Sequence, residues 1–329
     1  RVGTITMKHL AVIGHSLIHV RQHNFYRELS KLGIDVTLFS PGEWREQKAQ
    51  NLDEGNFHIR TLRHFGGEDV YRFKFVGLED AIREGGFDWI YVNQEPNSIV
   101  ALDCSKLPYK KALFTWANIP SDYTPLGNQV LKEYDLVVCG NGEAQELVSE
   151  HNTSTVVLPQ VGVDTVHFQA RPVKRDTSVA YIGRATQEKG TDKLLIAWPT
   201  ARVLAWQSYE SLPWWYSMCK IVVNYSQDVP QWREQAMPYT SMEAICCGVF
   251  SIVSDAGSIP YWHREFAGEN PGVRIVPQNS LTELKSTIEE CLSATIAREE
   301  SVKAGREWVE ENLSSKVIAK RLVECLEKI

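Results

Sequence analysis

The stretch Gly183-Arg184-Ala185-Thr186-Gln187-Glu188-Lys189-Gly190 directly follows the apolar run Val179-Ala180-Tyr181-Ile182. A short buried strand ending in glycine, then an arginine and a lysine at a helix start, is suited to gripping a diphosphate. The helix start offers backbone N–H groups and a positive dipole, and the cations offer charge-assisted hydrogen bonds. Without an anion the same cations would oppose the dipole. Further along, Thr240-Ser241-Met242-Glu243-Ala244-Ile245-Cys246-Cys247-Gly248 reads as a second polar helix start with a carboxylate in its first turn. Together the two segments predict a nucleotide-diphosphate ligand held between strand ends.

Such groups need a scaffold, and the rest of the chain supplies one. Short apolar, β-branched runs alternate with helical segments, the pattern of parallel sheets built from βα units. Strands are predicted at 9–13, 36–40, 58–62, 89–93, 112–116, 136–139 and 155–158, then at 179–182, 202–206, 221–225, 250–253 and 274–276. Helices are predicted at 24–32 (closed by Gly33), 191–197, 240–247, 281–292, 298–311 and 315–328. Ser280 and Glu283 form a capping box for the fourth of these. A polar, proline-containing segment over 168–177 reads as a linker. The expected architecture is α/β, two Rossmann-like doubly wound domains, 1–168 and 169–329. The last helix, 315–329, is expected to cross back to the first domain. Each domain places a glycine after its first strand, Gly14 and Gly183, and the crevice outside the strand ends is the default site.

Composition narrows the function classes. The chain has 329 residues, 43% of them hydrophobic, and a net charge of −6. That balance disfavours nucleic-acid binding, which calls for a basic stripe. Seven cysteines, with no C-x-x-C pair, suggest a reducing compartment, and no apolar run is long enough to span a bilayer. The expectation is a cytoplasmic protein. Arg1–Thr6 read as a vector-derived remnant ahead of a native start at Met7.

Several segments carry a family pattern. Leu158-Pro159-Gln160-Val161-Gly162-Val163-Asp164 with Phe168 resembles "P-x-G-V-D-x-x-x-F", and Gly183-Arg184 with Glu188-Lys189-Gly190 resembles "G-R-x-x-x-E-K-G". Glu243-Ala244-Ile245-Cys246-Cys247-Gly248 is similar to "E-A-x-A-C-G", and Ser254-Asp255-Ala256-Gly257-Ser258-Ile259-Pro260 to "S-D-x-G-G-I-P". Gln94-Glu95-Pro96 and Thr115-Trp116-Ala117-Asn118-Ile119 resemble "E-E-P" and "T-W-x-N-I" of a polysaccharide-biosynthesis subset. In order and spacing, the chain from about Met7 onward resembles the group 1 (family 4) retaining glycosyltransferases of GT-B fold.

The resemblance implies hexosyl transfer from a nucleotide-diphosphate-sugar donor to a glycan, lipid-linked or other hydroxyl acceptor, with retention and without a metal or other cofactor. It implies donor contacts from the second domain and acceptor contacts from the first. Arg184 and Lys189 would stabilise the departing diphosphate, and the backbone amides of Thr240 and Ser241 would face it. Glu243 would accept from the ribose hydroxyls, although Thr240 and Glu243 also fit a capping box. The family's donor-sugar carboxylate falls on Gln235, while Trp232-Arg233-Glu234-Gln235 resembles "W-x-E-Q" and offers Glu234 instead. Gly14 would lie under the phosphates. His15, Ser16, Glu95, Trp116 and Asn118 would line the acceptor side. His15, His19 and His23 recur every four residues, a spacing that also suits metal, but no carboxylate or cysteine completes a set. Between Ala197 and Ile221 the family's "V-G-x-G-P" segment is missing, and Tyr261 stands where the family often has Glu. The implied partners include no nucleic acid, and a lipid acceptor would bring peripheral membrane contact. A degenerate member that binds nucleotide sugar without turnover is the alternative. A dinucleotide oxidoreductase is disfavoured because Gly14-His15-Ser16-Leu17-Ile18-His19 is not G-x-G-x-x-G.

Overall fold

A computed structural model describes residues 7–329; the expected vector-derived residues 1–6 lie outside the described residues. Contacts divide the chain into two compact units. One runs to Gly162 and includes Ile318–Ile329; the other is Val163–Val317.

The first unit contains β1 (Lys8–Ile13), β2 (Ile34–Pro41), the hairpin β3 (Glu43–Trp44) and β4 (Gln47–Lys48), β5 (Leu52–Glu54) and β6 (Phe57–Leu62). A second small hairpin, β7 (His64–Phe65) and β8 (Lys74–Phe75), precedes β9 (Trp89–Asn93), β10 (Lys110–Thr115), β11 (Leu136–Cys139) and β12 (Thr155–Val157). Its main sheet has the order β12-β11-β10-β9-β1-β2-β6-β5. The pairs are parallel except β5 on β6. β9 and β11 are buried at every position, as expected of parallel strands covered on both faces. The covering helices are α1 (Val20–Lys31), α2 (Leu78–Gly85), α3 (Ile99–Ser105), α4 (Pro125–Lys132) and α5 (Gly142–Ser149). α1 begins at Val20 rather than Asn24, because the polar stretch around His19 to His23 forms its first turn and buries Gln22. It ends as expected, with Gly33 at φ 86° just past the last turn. The two hairpins between Glu43 and Phe75 were illegible in sequence, since strands of two residues carry no periodicity.

The second unit contains β13 (Thr177–Ile182), β14 (Arg202–Leu204), β15 (Cys219–Asn224), β16 (Phe250–Ser254) and β17 (Val273–Val276), with α6 (Thr191–Ala197), α7 (Leu212–Ser217), α8 (Tyr239–Cys246), α9 (Leu281–Ser293) and α10 (Thr295–Asn312). Its sheet is parallel, in the order β14-β13-β15-β16-β17. Ser280 caps α9 by accepting from the Glu283 N–H at 3.2 Å. β14 stops at Leu204, so the expected strand end at Trp206 is a turn instead. The contact boundary falls ahead of 168/169. Val163 forms a parallel bridge with Ser314, and Arg306 donates to the carbonyls of Thr165 and Phe168 at 3.3 and 3.4 Å. Phe168 packs edge-on against Tyr209 and Tyr216. α11 (Ser315–Leu326) passes from one unit to the other, its residues from Ile318 on grouping with the first.

Candidate functional site

In the second unit β13 is flanked by β14 on one side and β15 on the other. The chain order therefore reverses between β13 and β15, the place where open α/β sheets leave a crevice beyond their carboxyl ends. The loop carrying Arg184 and Lys189 leaves β13 at this point. Gly183 takes φ 146°, a conformation glycine adopts freely, and its N–H donates to the Leu204 carbonyl at 3.3 Å. Tyr181 donates its hydroxyl to the Arg184 carbonyl, which fixes the turn from below. Gly190 closes the loop at φ 60°; a Cβ there would sit 2.1 Å from the Tyr225 carbonyl oxygen. The Gln227 N–H donates to the Glu188 carbonyl at 2.8 Å, so the loops after β13 and β15 are clamped together.

Lys189 meets Glu234 across this junction. Its Nζ donates to both carboxylate oxygens, at 2.9 and 2.6 Å, and lies 4.8 Å from the Trp232 ring centroid. Glu234 is only 8% exposed. Ser226 donates to its Oε2 at 2.7 Å, and the Ser258 N–H donates to its carbonyl at 2.9 Å. A Cβ on Gly257 would lie 2.3 Å from that same carbonyl oxygen. The segment Ser254–Pro260 thus serves to seat Glu234, and only glycine leaves room at position 257. Arg184 is exposed and Gln235 half-buried on the same set of loops. Of the two candidates for a sugar-contacting carboxylate, Glu234 is the one held beside Lys189.

α8 starts at Tyr239 with Pro238 as N-cap and no side-chain cap, so Thr240 and Glu243 do not form a capping box. Glu243 is buried and accepts from the Tyr216 hydroxyl at 3.1 Å. Thr240 Oγ1 reaches the Ile182 carbonyl at 3.5 Å, which sets the helix start against the end of β13. Ser241 is turned inward. Its N–H donates to the Pro238 carbonyl at 3.1 Å, and its hydroxyl pairs with His263 Nε2 at 2.9 Å. Burial drives the His263 imidazole down to about 3, which keeps it neutral.

In the first unit the order reverses between β1 and β9, and six further candidates gather there. A Cβ on Gly14 would lie 2.6 Å from the Asn93 carbonyl oxygen, so β1 can approach the end of β9 only with glycine at that position. Asn93 donates to Ser16 Oγ at 3.3 Å. His15 pairs with the Gln94 amide at 2.5 Å and packs 5.0 Å from the Trp44 ring. Burial lowers its imidazole to about 4 against the opposing Gln94 bond. Glu95 accepts from the Thr115 hydroxyl and from the Trp116 N–H at 3.4 Å; burial pushes its carboxyl up to about 7. Asn118 is buried and donates to Glu143 at 2.7 Å. The Trp116 ring packs edge-on 5.7 Å from Phe114. Among the described residues no group of three or more His, Cys, Asp or Glu is placed to hold a metal ion; His23 instead bonds the Leu17 carbonyl at 2.6 Å.

Sequence reasoning missed the supporting residues: Ser226 and Ser258 under Glu234, Tyr216 under Glu243, His263 under Ser241, and Asn93 with Gln94 under Ser16 and His15. Position at or just after a strand end was a usable signal for Asn93, Gln94 and Ser226. Nothing in the order of residues pairs Tyr216 with Glu243.

Residues 169–324 match a family described as "Glycosyl transferase-like". No curated protein matches the chain in sequence. Its fold is shared with solved structures of low identity. Sucrose-phosphate synthase from Thermosynechococcus elongatus superposes with TM-score 0.73 at 13% identity, covering 98% of each chain. A glycosyltransferase from Rickettsia africae gives TM-score 0.73 at 15% identity, again over 98% of each chain. Anabaena HepE, solved with UDP, gives 0.71 at 13% identity over 98% of this chain and 100% of that one. These likenesses establish a GT-B architecture of Rossmann-like units.

Proposed function

We propose that this chain, whose residues 169–324 match a glycosyl transferase-like family, is a retaining, metal-independent glycosyltransferase using a nucleotide-diphosphate-sugar donor. The observation that carries the reading is the Lys189–Glu234 pair, set at the reversal point of the second sheet beside Arg184. A cation for phosphate and a carboxylate for sugar hydroxyls stand side by side, as a sugar diphosphate requires.

On this reading Arg184 and Lys189 neutralise the diphosphate as the bond from sugar C1 to phosphate oxygen breaks. The new bond forms from the acceptor oxygen to C1, and the acceptor proton passes to the departing phosphate oxygen, so retention needs no dedicated protein base. Lys189 exchanges its bonds to Glu234 for phosphate oxygens, which leaves the carboxylate to accept from the sugar. Glu243, oriented by Tyr216, accepts from the ribose hydroxyls, with Gly183, Gln235 and Thr240 completing the donor side of the second unit. His15, Ser16, Glu95, Trp116 and Asn118 make the acceptor side; His15, neutral through burial, offers hydrogen bonding without charge. The acceptor is a glycan or a lipid-linked hydroxyl. HepE has been solved with UDP-glucose, which makes uridine sugars the first donors to try.

The test is release of free nucleotide from UDP-, GDP- and ADP-sugars, with and without chelator. Turnover that survives chelation and falls about 10²–10³-fold in Arg184→Ala and in Lys189→Ala is expected, the usual cost of losing one transition-state donor. Binding without any nucleotide release would point to the non-catalytic alternative. Chelator-sensitive turnover would overturn metal independence, and an inverted product anomer seen by proton NMR would overturn retention.

A further inference from the structure

Lys189 has a second neighbour besides Glu234, and it carries no charge. Its Nζ lies 4.8 Å from the centroid of the Trp232 ring while it bonds the carboxylate. Cations over rings are common in proteins. Lys8, 5.6 Å from the Trp89 ring, is an ordinary case, with a side chain 50% exposed. The Lys189 side chain is only 13% exposed. Desolvation strengthens the attraction, because less water competes with the ring for the ammonium.

The backbone holds this ring in place. Val229 and Trp232 exchange both backbone hydrogen bonds, at 2.9 and 3.0 Å, around Pro230 and Gln231. Proline presets the first central position of such a turn. One residue earlier, the Asp228 N–H donates to Gln278 Oε1 at 2.7 Å, and Gln278 Nε2 donates back to Asp228 Oδ2 at 3.2 Å. The Gln278 N–H donates in turn to Asp255 Oδ1 at 2.8 Å. The turn is thus tied to the loops after β16 and β17. Residues 228–231 are exposed, yet Trp232 is half-buried, so an outlying turn sets its one aromatic ring on a lysine.

We propose that Trp232 is a positioning residue for Lys189, holding the ammonium at the strand ends when Glu234 releases it to an anion; this rests on the donor reading above. Glu234 fixes Lys189 in the ligand-free fold, but it also cancels its charge. An aromatic ring attracts a cation through its quadrupole and carries no net charge. It therefore anchors the ammonium without neutralising it toward phosphate. Lysine's four-carbon stem is flexible, and without the ring an ammonium leaving the carboxylate would lose its fixed place. Trp232 acts through Lys189 rather than on the substrate.

The experiment uses the full chain and has two readouts. The first is a double-mutant cycle of wild type, Trp232→Leu, Lys189→Met and the double variant, read as unfolding free energy in urea without ligand. The two substitutions should be non-additive, whereas residues that share no contact add. The second is calorimetric affinity for inorganic pyrophosphate, UDP, GDP and ADP. Trp232→Leu should weaken whichever of these bind by roughly 2–30-fold, the worth of one cation–π contact. Trp232→Tyr should fall between wild type and Trp232→Leu, since Tyr is the weaker cation platform. In Glu234→Gln, where the ammonium relies more on the ring, adding Trp232→Leu should cost at least as much affinity as in wild type. An additive cycle, unchanged affinity in Trp232→Leu, or equal affinities in the Tyr and Leu variants would overturn the proposal while leaving the donor assignment standing. A wild-type chain that binds neither pyrophosphate nor any of the three nucleotides would overturn both, an outcome read before any variant is compared.

Discussion

Glu234 and Lys189 neutralise each other at 2.6 Å, and this sets the behaviour of both. On the proposed reading, removing the carboxylate charge frees the ammonium for phosphate while depriving the sugar of its acceptor. Glu234→Gln is therefore expected to bind nucleoside diphosphate as tightly as wild type or tighter, with turnover down about 10²-fold or more; calorimetry beside an initial-rate assay separates the two effects. Removing Lys189 instead leaves a buried carboxylate short of its partner, so Lys189→Ala should lose stability as well as rate. Glu95 makes a pH-dependent prediction. Its carboxyl is raised to about 7 in the fold, so between its ordinary value and 7 the unfolded chain ionises while the folded one keeps the proton. Stability therefore declines as pH rises through that window. Glu95→Gln should abolish that decline, and Tm scans of both proteins from pH 4 to 8 would show it; parallel curves would refute the assignment. His15 and His263 act oppositely, since each is lowered by burial. The unfolded chain gains their protons first as pH falls below their ordinary range, and stability is lost toward acid.

At the scale of elements, two glycines decide whether loops can meet. Gly190 lets the loop after β13 lie on the Tyr225 carbonyl, and Gly257 lets the loop after β16 lie on Glu234. Alanine at either position must displace backbone rather than a flexible side chain. Gly257→Ala and Gly190→Ala are each expected to cost about 1–3 kcal/mol, seen as a Tm decrease of roughly 2–4 °C per kcal/mol. The Lys189–Glu234 contact should open in both, so a rate loss larger than the stability loss is the diagnostic outcome. Both glycines belong to motifs that stood out in the sequence, yet the contacts that require them are with residues far along the chain.

At the scale of the molecule, α11 ties the last residues of the chain to its first unit. Ile318, Ala319, Leu322 and Leu326 are buried, and Lys110 donates to the Ile329 carbonyl. Leu326→Ala should cost about 2–5 kcal/mol, the range for emptying a buried leucine site, and limited proteolysis should then cleave the first unit before residues 163–317. Loss of both units together would contradict this division. The sequence alone determined the βα alternation, most strand positions and the glycines after the first strand of each unit, because periodicity and turn chemistry act over a few residues. It also singled out Arg184, Lys189 and Glu243 by residue type. Only the tertiary structure decided that Glu234 rather than Gln235 faces Lys189, that Thr240 caps nothing, and that Trp206 leaves its strand in a left-handed turn. Those outcomes depend on which strand ends lie side by side, and strand order is fixed by contacts between residues distant in the chain.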